Sequence, residues 1–314
     1  MALVTGPHRV LFSMLRKILN EKYGGGQHSE EKRLKPKSAS LVDFGARIKI
    51  IVSEVQGKSQ IELQVTFQGD YEIHHNETID CLRALYGMSV GLTRFDDQRK
   101  VTISVKVDDA IAHFDSPQSC ARSLSQIRVQ ATGSPILKAL SRMDDQQRGN
   151  TSTNEDNIYK LGTHGKCGTF HCISTNEKVM VVFVVSFEDE MERCLARLFL
   201  QQFEVTQRKI PLTPHCEFRR PNQATTELKS IMSKQLESEG DIMPPPVGCL
   251  SFTFFPSSAA SEERRLKAVD LLVNFLPYMN RHVKSTKSMM LNSMRSKRSD
   301  LLPSMQEPAT LISW

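Results

Sequence analysis

Apolar residues recur along this chain at two spacings, and the spacing sets the element each stretch should form. Over 7–21, Leu11, Leu15 and Ile18 stand one helical turn apart with Met14 beside them, predicting an opening helix that stops before Gly24, Gly25 and Gly26. The glycines and the polar run after them predict a loose surface insertion over 24–40. Stretches 47–55, 60–67 and 101–107 alternate polar with β-branched residues, as strands with one wet face do, and Gly57 turns the chain between the first two. "TIDCLRALYG" predicts a short helix closed by Gly87, and "SPILKALSRM" a second one starting near Ser134 with Pro135 at its first position. "HHNE" at 74–77 reads as a loop.

From 144 to 157 there is no apolar residue, so this stretch reads as a linker between a first domain, 1–143, and a second, 158–314. Strands are predicted there at 168–173, 179–187, 216–219 and 248–255, the last preceded by the stiff "PPP" at 244–246 and ended by Pro256. "EDEME" at 188–192 reads as a hairpin loop. Stretch 194–205 fits either element, because Leu195, Leu198, Phe199 and Gln202 also keep a helical period.

The longest helical pattern comes last, over 261–302. Ser261 suits the N-cap and Glu262 and Glu263 the first turn, where the helix dipole favours negative charge. Val269, Leu272, Leu276, Met279, Val283, Met290, Met294 and Leu301 then fall in a stripe roughly 80° wide. Pro277 predicts a bend near 273–276; because the apolar phase survives on both sides of it, no separate element is expected.

Charge singles out the same helix. No acid occurs between Asp270 and Asp300, whereas Arg281, Lys284, Lys287, Arg295, Lys297 and Arg298 do; the whole chain carries a formal +6, so the remainder is nearly balanced. All but Lys297 occupy an arc of roughly 120° beside the apolar stripe. Complementing the helix dipole explains only the cations of the last turn, and an ordinary solvated face mixes both signs. A face of one sign suits an anionic target: nucleic acid, an anionic membrane or an acidic protein. The arc holds no aromatic side chain to stack a base, and the stripe holds no Trp or Phe for a membrane interface. A protein partner fits best, with the seam buried against another helix and the charge left exposed.

Length and composition, 314 residues at 39% hydrophobic and 24% charged, are those of a soluble globular protein. Seven scattered cysteines are an odd number and imply a reducing compartment. No run reaches the ~18–20 apolar residues of a bilayer helix; the strongest, 179–187, reads as a buried strand. The basic start "PHRVLFSMLRKIL" has some transit-peptide character, but Glu21 interrupts it and a structural helix is expected. "HGKCGTFHC" gathers His164, Cys167, His171 and Cys172, yet adjacent residues of a strand face opposite ways, so no metal site is expected. No phosphate loop, H-E-x-x-H or G-x-S-x-G occurs; no catalytic residue or cofactor is expected.

Several of these stretches, taken in order, resemble the subunit 2 family of the actin-related protein 2/3 complex. "HVKSTKSMMLNSMRSKRSDLL" is similar to its terminal helix, matching at His282, Lys284, Lys287, Met294, Arg295, Lys297, Ser299 and Asp300. "KVMVVFVVSFEDE", "RLFLQQFEVTQRK", "FRRPNQATTELK" and "GCLSFTFFP" precede it in the family's order, with "VDFGARIKI" and "LRALYG" echoing it earlier. Pro277, the 24–40 insertion, the polar linker and a short tail after Pro303 depart from the pattern.

The resemblance implies an α+β fold of two similar α/β domains with mainly antiparallel sheets, each followed by a packed helix, the last helix long and C-terminal. It also favours a strand for 194–205. It further implies a non-enzymatic scaffold of cytoplasm and cytoskeleton that acts in branched actin nucleation. In that role Leu272, Leu276, Met279, Val283, Met290, Met294 and Leu301 would pack on the helix of subunit 4, while Arg281, Lys284, Lys287, Arg295, Lys297 and Arg298 meet the mother actin filament. The alternatives are a basic helix binding RNA or anionic lipid and, further off, a zinc enzyme centred on 164–172.

Overall fold

The computed structural model describes residues 8–23, 34–43, 46–68, 73, 75–95, 100–147, 157–163, 167–175, 177–209, 214–225, 228–229, 231, 244–255 and 261–306. The chain opens with α1 (Arg9–Tyr23), which buries Leu11, Leu15, Ile18 and Leu19. Strands β1 (Lys37–Asp43), β2 (Ala46–Val55) and β3 (Lys58–Gln68) follow, then α2 (His75–Tyr86), β4 (Val90–Phe95) and β5 (Lys100–Lys106). The strands form one antiparallel sheet in the order β1-β2-β3-β5-β4. Alternation works as expected: Ile48, Ile50 and Val52, then Ile61, Leu63, Val65 and Phe67, then Val101, Ile103 and Val105, all point into the core.

Short helices α3 (Val107–Ala110) and α4 (Pro117–Leu124) follow, the latter closed by a capping box between Ser116 and Ser119. Asp108 on α3 ties the half together. It accepts from Lys22 Nζ at 2.6 Å, from the Tyr23 hydroxyl, and from the Ile61 backbone N–H at 2.8 Å.

The second half repeats the design. Strands β6 (Asn157–Thr163), β7 (Gly168–Ser174) and β8 (Val179–Ser186) precede helix α6 (Glu190–Gln207), and β9 (His215–Arg219), β10 (Pro246–Phe254) and the final helix α7 (Glu262–Gln306) come after it. This sheet too is antiparallel, in the order β6-β7-β8-β10-β9. The fold is therefore α+β, with two five-stranded antiparallel sheets, each followed by helices, and a long helix at the end. One face of the second sheet packs Phe170, Phe183 and Phe252 against α5, α6 and α7, where α5 is Ile127–Gln147. The other face, with Ile173, Met180, Val182 and Val184, lies under Ala224, Leu228 and Ile231. Burial on both sides explains why β8 reads "VMVVFVVS" without alternation.

Several expectations are corrected. Residues 37–40, expected in a loop, belong to β1. Residues 75–77 of "HHNE" begin α2; His74 lies outside the described residues. Stretch 194–205 is helix, not strand: Asp189 caps α6 by accepting from the Glu192 N–H at 2.9 Å, and Ala196, Phe199, Leu200 and Phe203 recur at helical spacing toward the core. "EDEME" is accordingly a helix start, with Glu190 and Glu192 in the first turn. Of the 144–157 linker, 144–147 continue α5, Asn157 opens β6, and 148–156 lie outside the described residues.

Helix α5 starts seven residues before Ser134 and runs through Pro135. Proline has no N–H for the carbonyl four residues back, so the Ala131 oxygen loses its helical donor. Side chains replace it: Ser134 Oγ donates to Ala131 O at 2.9 Å and Thr78 Oγ1 of α2 at 3.2 Å. Pro277 likewise sits inside α7 without ending it, and α7 is one helix of 45 residues.

Helix α5 also joins the halves. Ile127 and Ala131 belong to the first core, while Ile136, Ala139, Leu140 and Met143 belong to the second. Arg128, on its first turn, donates from Nε to Asp43 Oδ2 of β1 at 2.7 Å and from Nη2 to Asn274 Oδ1 of α7. Asn274 in turn donates from Nδ2 to the Asp270 carbonyl at 2.8 Å and to its carboxylate at 2.7 Å. One buried polar string thus ties the first sheet to the last helix.

Candidate functional site

The site is α7, and its burial changes sharply along its length. Val269, Leu272, Val273, Phe275, Leu276, Met279 and Val283 are buried in the second core. Val283 is the last buried residue among the described side chains of α7. One turn later Lys287 Nζ sits 3.1 Å from Asp189 Oδ1 and 3.0 Å from Glu192 Oε1, at the start of α6. The hydrogen bond to Glu192, then that to Asp189, raises the Lys287 pKa; the Glu192 N–H and Lys287 together hold Asp189 low. Beyond this tie no described side chain of the helix, through Lys297, is buried and only Leu291 is half-buried, so this part of the helix projects. Its remaining stretch, 288–306, is roughly 28 Å long at ~1.5 Å per residue.

The apolar stripe therefore divides in two. Leu272, Leu276, Met279 and Val283, expected to meet a partner helix, are enclosed by this chain's own sheet and are not free to do so. Met290 and Met294, in the same phase, are 42% and 60% exposed. Leu301 lies outside the described side chains. Met289, which the stripe leaves out, is 70% exposed on another side, so the projecting part presents more apolar surface than its seam alone.

The cations divide too. Arg281, Lys284, Arg295 and Lys297 are exposed, Lys287 is neutralised by Asp189 and Glu192, and the Arg298 side chain lies outside the described ones. His282 stacks on Tyr278 at 6.2 Å and 9° and lies 5.1 Å from the Phe199 ring, joining α7 to α6 where the basic arc begins. The acids that hold Lys287 stand in "EDEME"; opposite charges in separate elements left no local signal of the pairing.

From Gly168 onward the cysteine and histidine stretch is ordinary strand. Cys172 faces the core, whereas His171 faces the other side, where its Nε2 lies 3.0 Å from Thr169 Oγ1. Burial pushes the His171 pKa down to about 4, the Cys167 thiol up to about 11 and the Cys172 thiol up to about 12. His164 lies outside the described residues, and among those described no three His, Cys, Asp or Glu side chains converge as metal ligands. No described helix is long and apolar enough to cross a membrane.

Twin antiparallel sheets, a helix bridging their cores and a last helix that outruns its own packing describe an assembly subunit more closely than a protein built around a cleft. Residues 63–308 match the family described as the Arp2/3 complex, 34 kD subunit p34-Arc, and the chain belongs to that family. It is also similar to actin-related protein 2/3 complex subunit 2 of Dictyostelium discoideum, 26% identical over 134 residues, which is 43% of this chain and 42% of the relative. That alignment spans less than half of the relative's length.

Proposed function

We propose that the chain is a structural subunit of a cytoplasmic, cytoskeletal actin-related protein 2/3 complex. In this reading the projecting part of α7 packs through Met290, Met294 and Leu301 on the helix of subunit 4. Arg281, Lys284, Arg295, Lys297 and Arg298 meet the mother filament during branched nucleation, and Lys287 holds α7 to α6. Family membership supports the assembly. The observation that carries the interface is a helix that continues past Val283, the last buried of its described side chains, with methionines of its apolar phase in solvent. An isolated helix gains nothing from exposing that phase, whereas a second helix buries it. The division into domains 1–143 and 158–314 belongs to the same proposal and is supported by each sheet drawing its strands from one stretch of chain.

Two substitutions separate the roles. Met290→Asp places a charge in the seam while altering a side chain already 42% exposed, so the lone chain should keep its melting temperature within a degree or two. Co-purification with subunit 4 should nonetheless fall at least tenfold; undiminished recovery would rule out the seam.

Charge reversal at Arg281, Lys284 and Arg295 should leave assembly intact and weaken co-sedimentation with actin filaments on the order of tenfold. Each exposed ion pair yields only ~0.2–1 kcal/mol, and tenfold corresponds to ~1.4 kcal/mol. Such weak contacts matter only because the rest of the complex adds others. Equal pelleting of the reversed and native complexes would remove the filament role.

A further inference from the structure

The two sheets share a strand order but treat their outer faces differently. The second sheet's outer face is apolar and covered by Ala224, Leu228 and Ile231. The first sheet's outer face is open and polar. Its pairing register sets Arg47, Thr66, Thr102 and Thr93 in one row across β2, β3, β5 and β4, and Lys49, Gln64, Ser104 and Gly91 in the next. Glu62 and Lys106 make a third row with Ile51. Arg47, Lys49 and Lys106 are exposed, and among the described residues none of them has an ion pair. Glu62 is the one acid among these rows, and it accepts from Gln64 Nε2 at 3.2 Å. Rows of hydroxyl and amide groups therefore lie among three exposed cations: Lys106 stands directly across from Glu62, whereas Arg47 and Lys49 have no acid opposite them on β1 or β3.

We infer that this face is a docking surface for an acidic polypeptide segment lying extended along β2. The occupant follows from the charge and the spacing. Arg47 and Lys49 point the same way two residues apart along β2, a separation of roughly 7 Å, which is also the repeat of alternate side chains on an extended peptide. Carboxylates at alternate positions would meet both; Thr66 and Thr102 share a hydrogen bond at 3.0 Å, so one of them, with Ser104, would donate to the remaining carboxylate oxygens. A nucleic acid is disfavoured because no aromatic side chain stands in these rows to stack a base. A membrane is disfavoured because the described large apolar side chains of this face, half-buried Ile51 and exposed Val42 and Val55, stand apart from one another and form no continuous apolar patch. The surface is separate from α7 and does not depend on the role given to that helix.

The test is binding of a fluorescent polyglutamate peptide to the full chain, followed by anisotropy at two salt concentrations. Native chain should bind, more weakly at high salt. Arg47→Glu, Lys49→Glu and Lys106→Glu together should lose at least tenfold in affinity, while Arg295→Glu with Lys297→Glu on α7 should change it less than threefold. If the reversed triple variant has an altered circular dichroism spectrum, the glutamine triple at the same positions replaces it, with a loss of at least threefold expected. Equal peptide binding by native and substituted chains overturns the inference. So does binding of phosphatidylserine vesicles or a single-stranded oligonucleotide through these three residues in place of the peptide.

Discussion

Phe275→Ala should destabilise the chain by about 3–5 kcal/mol, the range for removing a large aromatic side chain from a packed core. Phe275 is fully buried on α7, and four rings meet it: Phe183 at 4.9 Å, Phe203 at 5.1 Å, Phe252 at 5.8 Å and Phe199 at 6.4 Å between centroids. Those rings come from β8, α6 and β10, so Phe275 is where the last helix engages both layers of the second half. The neighbours are themselves in mutual contact, with Phe183 edge-on to Phe252 and Phe203 edge-on to Phe252, so they have little freedom to collapse into the space. Urea denaturation should show the midpoint falling with the slope unchanged. A loss under ~1 kcal/mol would mean that the ring cluster closes over the gap and that α7 is anchored mainly elsewhere.

The substitution should also weaken assembly, through a different route from Met290→Asp. Phe275 contributes nothing to a partner directly; its loss loosens the seat from which the projecting part of α7 extends. Met290 contributes nothing to the seat. If both variants lose the partner but only Phe275→Ala loses stability, the two halves of α7 have the separate roles that their burial implies.

The same division marks how far the sequence could be read. Strands with one wet face were legible because alternation records which side is buried, and β2, β3 and β5 appear within a residue or two of expectation. Three edge strands were not, β4 among them, whose "VGLTRF" offers only Val90 and Leu92 to the core side before Arg94. β1 reads "KSASLVD" and is half exposed along its length, and β6 opens directly from a polar run with Ile158 exposed and Leu161 buried, so neither shows a sustained alternation. Helix α6 was ambiguous for the opposite reason. Leu195, Leu198 and Phe199 keep a helical period, but only Phe199 is well buried, while Leu198 is mostly exposed, which blurred the face that identifies the helix. The family likeness then pointed to a strand, and the Asp189 cap with its two first-turn glutamates was the local signal that it overrode.

On α7, by contrast, periodicity picked out one apolar stripe, leaving out the buried Val273 and Phe275 and the exposed Met289, and could not say what covers each residue. Leu272 and Met290 have the same phase; one faces the protein's own sheet and the other faces solvent, a difference decided by where the sheet ends. Lys287 shared its phase with free cations and is paired all the same, because its partners are 95 and 98 residues earlier in the chain.

Arg128→Met should cost about 3–5 kcal/mol, the usual result of removing one member of a buried ion pair and leaving the other without its counter-charge. The pair is enclosed, with side-chain exposures of 4% for Arg128 and 11% for Asp43, so water does little to replace the guanidinium beside the carboxylate. Asn274 suffers as well, since its amide is oriented by donating to Asp270, which leaves its oxygen aimed at the position Arg128 vacates. The double variant Arg128→Met with Asp43→Val should recover more than half of the loss, because the cost lies in the stranded charge and not in the absent attraction. Denaturation of the native chain, both single variants and the double variant gives the coupling directly, and strictly additive losses would sink the argument. The pair also fixes geometry that an apolar substitute would leave to packing alone. Asp43 ends β1, Arg128 opens α5 and Asn274 sits mid-way along the buried part of α7, so the string sets how the first sheet lies against the helix that projects from the second. Spin labels on β3 and on α7 near Ser293 should therefore show a broader distance distribution in the double variant than in the native chain, even where its stability is restored.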